Sequence, residues 1–244
     1  MQRQRQQPQQ IDLVILRTHR RHARCRWPDP KTPGRIVLRT PDVADVVPGE
    51  IARVSVRRRW TELGETHVTG AITNVRLDAR ALGLEPLALC TEDPEVPESE
   101  LEFLLLGRRT EPLPGELPED AEHAAVLLEV DLRCLAAHAR LGDEAFEVDP
   151  ERARRHYEVG LRIGELRLEH IGDGQLPSAS RDNFGFLRCL RGYARCQWRL
   201  GRWKSAEREL ARLLALDRAD ALCARVDLDE IRARRTWDHH RRAA

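Results

Sequence analysis

Residues 187–217, LRCLRGYARCQWRLGRWKSAERELARLLALD, constrain the fold more tightly than any other stretch of the chain. They read as two amphipathic helices joined by a tight turn. Leu190, Tyr193 and Ala194 share one face of the first helix, Gly201 marks the turn, and Ala206, Leu210 and Leu213 lie on the facing side of the second. Small and aromatic residues at the crossing let the two helices approach closely. Such a hairpin cannot bury its apolar face alone, so the pattern demands neighbouring helices with complementary faces.

Those neighbours are visible upstream. From Ala121 the apolar spacing becomes helical, and AEHAAVLLEVDLRCLAAHARLGDEAFEV ends on a Leu141-Gly142 pair. In DPERARRHYEVGLRIGE, Asp149 is a candidate N-cap with Pro150 at the first helical position. Ala153, Tyr157, Gly160 and Leu161 supply the packing face. The irregular segment 171–183 separates this hairpin from the second, and Asp220 to about Arg235 reads as a closing helix. Two hairpins with flanking helices approach the minimum that buries a shared core.

The N-terminal third has the period of a sheet instead. GRIVLRT (34–40) is a short β-branched run. VPGEIARVSVRRRW (47–60) alternates, with Ala52, Val54, Val56 and Trp60 on one face and Arg53, Ser55, Arg57 and Arg59 on the other. TELGE reads as a hairpin loop and THVTGAITNVRLD (66–78) as the returning strand. Several short strands with tight turns predict a small β-barrel of the SH3-like or OB-like kind over 15–90. Residues 91–120 contain five prolines and a large excess of acid, so they read as an extended linker carrying one apolar patch, Leu101–Leu106. The polar start, 1–14, reads as a disordered tail rather than a targeting signal. The expected organisation is therefore α+β: tail 1–14, barrel 15–90, linker 91–120 and a helical domain over 121–244.

A formal net charge of +1 conceals a strong asymmetry. Residues 1–90 carry 16 basic side chains against 9 acidic, residues 91–122 carry 2 against 11, and the remainder 23 against 20. Only Lys31 and Lys204 are lysines, a bias that points to base composition as much as to phosphate binding. Six scattered cysteines without a CxxC pair read as free thiols of a cytoplasmic protein. No apolar run approaches the length of about 18 residues that spans a membrane.

LRCLAAHARLG, HYEVGLRIGE and DNFGFLRCLRGYARCQWRLGRW resemble phrases shared by a group of bacterial cytoplasmic tetratricopeptide-repeat (TPR) proteins. PGEI, the Arg-rich strand ending in Trp60 and VRLDARALGLEPLAL also resemble the N-terminal β region of that group. The chain departs from the pattern at Gly185 and Arg218, where a proline is usual. The resemblance implies TPR-like helical hairpins behind a small β domain, and a surface that binds proteins. It implies no reaction.

Two arginine groups are the candidate sites. Arg188, Arg191, Arg195 and Arg199 recur at helical spacing and, with Trp198, would line the concave face of the repeat array, where guanidinium groups grip carboxylates. The competing expectation for this stripe is a solvated helix face. Arg53, Arg57 and Arg59 form a basic strand face that could take single-stranded nucleic acid, although Trp60 reads as a core residue. His19/His22 and His239/His240 lack companion ligands at a metal-binding spacing, and no phosphate loop or nucleophile motif occurs. The expected function is thus a protein–protein interaction adaptor or scaffold holding a partner helix or acidic peptide. The alternative is a nucleic-acid- or ribosome-associated factor. No enzymatic activity, metal or cofactor is expected.

Overall fold

The computed structural model describes residues 9–87, 89, 120–168, 175–178, 180–238 and 240. The first eight residues, nearly all of the acidic linker with its Leu101–Leu106 patch, and the Gly-Asp-Gly of 172–174 lie outside the described residues. The chain forms two compact units: Met1–Glu85 with Ala125–Leu132, and Pro86–Ala124 with Arg133–Ala244.

Five strands close the first unit into a barrel: β1 (Gln10–Thr18), β2 (His22–Arg26), β3 (Ile36–Arg39), β4 (Ile51–Glu62) and β5 (Glu65–Arg76). The order around the barrel is β1-β2-β3-β5-β4, with β3 and β5 parallel and the other neighbouring pairs antiparallel. Alternation along each strand sends Leu13, Ile15, Ala23, Cys25, Ile36, Leu38, Ala52, Val54 and Val68 into one apolar core. The β4–β5 hairpin turns through Leu63 (φ 51°) and Gly64 (φ 80°). Two successive left-handed residues match the right-handed twist of a hairpin.

Two expected boundaries move. Residues 10–14 belong to β1 rather than to a disordered tail, because Ile11, Leu13 and Val14 pair with Val54, Ala52 and Ile51 of β4. The helical domain does not begin cleanly at 121 either. Helix α1 spans Ala121–Val130, and its second half groups with the barrel, where Glu129 accepts from Arg17 at 3.4 Å and Arg24 at 2.5 Å. These are contacts more than a hundred residues apart, invisible to local periodicity.

The second unit packs five helices: α2 (Leu135–Phe146), α3 (Pro150–Leu168), α4 (Arg181–Arg199), α5 (Trp203–Leu216) and α6 (Ala224–Arg232). Each packs against the next, and α2 also packs against α4. The Arg152 amide donates to the Asp149 carboxylate at 3.0 Å, capping α3 one residue before Pro150. Gly201 (φ 74°) ends α4, with its amide on Trp198 O at 2.9 Å and that of Arg202 on Gln197 O at 2.8 Å. This pair of bonds is a Schellman motif, which frees the chain to reverse into α5.

Aromatic rings sit against glycines of adjacent helices. A Cβ at Gly142 would lie 2.6 Å from the Tyr157 ring, one at Gly192 2.2 Å from it, and one at Gly164 2.3 Å from Phe186. Among the described residues, no helix is long and apolar enough to cross a membrane.

Two outcomes follow for stability. Gly192→Ala drives a methyl group into the buried Tyr157 ring and should cost about 1–3 kcal/mol, read as a lowered urea midpoint. Buried His156 is held well below its ordinary value of 6.5, first by burial and then by Arg152 and His138. The folded state therefore keeps it neutral while the unfolded chain takes up a proton below that value. Its contribution is complete above pH 6.5 and shrinks on acidification towards pH 5, by up to about 1.4 kcal/mol per pH unit. His156→Leu should flatten the dependence of the urea midpoint on pH in that window.

Candidate functional site

Helix α4 presents Arg188, Arg191 and Arg195 to a cavity of about 310 Å³ in the helical unit. Asp143 and Phe146 of α2, Glu147 just after it, Tyr157 of α3, Gly192 of α4 and Leu222 before α6 complete its walls. The spacing of the arginines puts them on one face of α4, as the sequence predicts, but the stripe does not act as one surface.

Its ends are tied down. Arg188 bonds Asp143, the same carboxylate that accepts from the Tyr157 hydroxyl at 2.5 Å. Arg199 caps the C-terminal end of α2, donating to Phe146 O and, at 2.9 Å, to Glu147 O. It satisfies carbonyls that a helix end otherwise leaves without partners. Trp198, expected beside the arginines in the groove, is instead a core residue with 1% of its surface exposed. Its indole donates to Arg235 O at 3.0 Å and meets Trp237 edge-on at 5.1 Å. The segment after α6 folds over it, and no local pattern in α4 could have shown that.

The middle of the stripe is different. Asp227 of α6, whose side chain is 2% exposed, accepts from Arg191 Nε at 2.9 Å and faces Arg195 Nε at 3.6 Å. The terminal nitrogens of Arg191 and Arg195 bond none of the described residues. Arg195 also lies over the Trp237 ring at 4.8 Å and the Phe146 ring at 5.9 Å. Burial lowers the pKa of its guanidinium, with the Asp227 carboxylate opposing that effect. One buried carboxylate thus bonds Arg191 through its inner nitrogen and lies within ion-pair distance of Arg195, whose buried Nε has no hydrogen-bond partner, and it leaves the outer forks of both beside the cavity. Neither Asp227, Asp143, Tyr157 nor Phe146 was a sequence candidate. The signal was present only as lone acids and aromatics on helices whose pairing the sequence does not specify.

The barrel redistributes its arginines in the same way. Arg53 is held by Asp12 through bonds of 2.9 and 3.2 Å, and Arg76 shares that carboxylate at 3.1 Å. Hydrogen bonding from Arg53 is the largest reason that Asp12 titrates below its ordinary value. Arg57, Arg58 and Arg59 are exposed. Trp60 is half-buried and outside the core, contrary to its expected place. The reason is a β-bulge: Val56 pairs with Gly70 but Arg58 with Thr69, so Arg57 is an extra residue and the alternation reverses beyond it. Trp60 then stacks on His67, its cross-strand partner, at 5.1 Å and 14°. Arg58, at the position where unbroken alternation would bury a charge, was the sequence signal of that slip. Arg59 lies over Trp27 at 5.2 Å.

His19 and His22 stack on each other at 4.4 Å. The Cys25, Cys189 and Cys196 thiols are pushed up by burial, which disfavours the reactive thiolate.

Removing one partner of a buried ion pair strands the other charge. Asp227→Ala should therefore destabilise the helical unit by about 3 kcal/mol, against less than about 1 kcal/mol for Glu207→Ala, which breaks the exposed Arg232–Glu207 pair. Chemical denaturation of the two variants checks the contrast. No family model, curated protein or solved structure matches this chain.

Proposed function

We propose that the protein is an interaction adaptor of the bacterial cytoplasm whose helical unit holds an anionic segment of a partner protein. The supporting observation is the Asp227-backed pair Arg191 and Arg195, with outer guanidinium nitrogens that bond no described residue beside a cavity of about 310 Å³. Planar forks held by a buried acid suit a carboxylate, because little side-chain freedom remains to be lost when the ligand arrives. Phe146 and Leu222 give the cavity an apolar wall, which favours a peptide over a simple ion. The binding surface is narrower than the full stripe: Arg188, Arg199 and Trp198 support it from within.

The finer architecture belongs to the same reading. Two consecutive hairpins, α2–α3 and α4–α5, with rings seated on Gly142, Gly192 and Gly164 and a closing α6, favour a TPR-like array. Closure in the order β1-β2-β3-β5-β4 favours the OB-like barrel over the SH3-like one.

A short Glu/Asp-rich peptide titrated against the full chain tests the proposal. Arg195→Gln, which keeps a polar side chain but removes the charged fork, should weaken binding about tenfold or more, near 1.4 kcal/mol. Arg195→Glu should abolish it, with folding verified by thermal melting. Equal affinity of wild type and both variants would remove the arginine pair from the function.

A further inference from the structure

We infer that the barrel carries a second, independent binding site, for single-stranded nucleic acid, centred on Trp60. It concerns a different unit and a different ligand from the adaptor reading, so either can fail without the other.

The site is a continuous outer face. Pairing places His22 beside Arg39, Arg39 and Arg58 beside Thr69, and Trp60 beside His67, across β2, β3, β5 and β4. The intervening Ala23, Leu38 and Val68 point into the core, which sends this set outward. The indole of Trp60 rests on His67 and accepts the Arg58 and Arg39 guanidinium groups at 5.2 and 5.7 Å from its ring centre. Its Nε1 donates to Glu62 at 3.3 Å, which fixes the ring's orientation. Trp27 with Arg59 forms a second aromatic–guanidinium pair at 5.2 Å.

Charge availability selects the ligand. Asp12 pairs with Arg53 and, together with Asp78, with Arg76, and Glu129 is shared between Arg17 and Arg24. Among the described residues no carboxylate pairs with Arg39, Arg57, Arg58 or Arg59. Arg39 and Arg58 are therefore uncompensated beside the half-buried Trp60, with exposed Arg57 next to them in β4, while Arg59, opposite the core residue Val68, pairs with Trp27 on the other face of the strand. A single strand offers both things this face can use: phosphates for the guanidinium groups and an unstacked base for the indole. A duplex keeps its bases stacked inside and offers only phosphates. An acidic peptide would use the charges and leave Trp60 without a role.

The experiment is fluorescence anisotropy of the full-length protein with labelled oligo(dT) of about 15 nucleotides, the matched duplex, and an oligoglutamate peptide, between about 50 and 200 mM salt. The single strand should bind better than the duplex. Its log affinity should fall with log salt at a slope of about −1.5 to −2, since each phosphate contact contributes about −0.7. Trp60→Ala should weaken binding about tenfold with the salt slope unchanged, and Trp60→Phe should retain most of it. Arg58→Ala should reduce the slope by about 0.7, whereas Arg53→Ala, already bound to Asp12, should change nothing. If Trp60→Ala melts early, the double variant Arg39→Glu/Arg58→Glu at these outer positions replaces it and should abolish binding. No binding at the lowest salt, equal affinity for duplex and single strand, or indifference to both variants would overturn the site. Oligoglutamate binding that needs the arginines but not Trp60 would overturn it in favour of an acidic protein partner.

Discussion

The ring of Tyr157 occupies space that Gly142 of α2 and Gly192 of α4 leave open, and a single added carbon at either position would overlap it. That close approach holds α2, α3 and α4 together, and so sets the separation between the arginine face of α4 and the acidic end of α2. The Tyr157 hydroxyl then bonds Asp143, and Asp143 in turn holds Arg188. Packing and electrostatics are thus coupled through one side chain: the cavity exists because the ring fits, and its charge pattern exists because the hydroxyl has a partner.

In a chain with 41 basic and 40 acidic residues, the number of arginines says little about where an anion can bind. Placement of the carboxylates decides it. Asp12 and Glu129 pair with Arg53, Arg76, Arg17 and Arg24, whereas Arg39, Arg57, Arg58 and Arg59 have no acidic partner among the described residues. In the helical unit Asp143 fixes Arg188, while the last carbonyls of α2 hold Arg199. Asp227 acts differently because it touches only the inner nitrogens of Arg191 and Arg195. A buried acid that orients a cation without enclosing it is suited to a binding site, whereas one that encloses it builds structure.

Local rules read much of the architecture correctly. The Asp149-Pro150 start of α3, the Gly201 reversal and the Leu63-Gly64 hairpin all depend on residues within one turn of each other. The barrel-then-helices order follows from the change of period. The readings that moved depended on distant or irregular features. The bulge at Arg57 inverted the expected facing of Trp60. Trp198 became core because Trp237, nearly forty residues later, packs on it. Residues 10–14 gained a strand because β4 offered an unpaired edge. The two candidate arginine groups were legible as groups, but their available members were not, since Asp227, Asp143 and Asp12 reach them across the fold.

The proposed function requires that Arg191 and Arg195 are presented for an anionic ligand while Arg188 and Arg199 are structural. Side-chain nitrogen NMR of the full chain, with arginine resonances assigned by substitution and followed as a Glu/Asp-rich peptide is added, tests it most directly. The outer guanidinium signals of Arg191 and Arg195 should shift and slow their exchange with water, while those of Arg188 and Arg199 stay in place. Uniform small shifts across all four, or movement confined to Arg188 and Arg199, would contradict it.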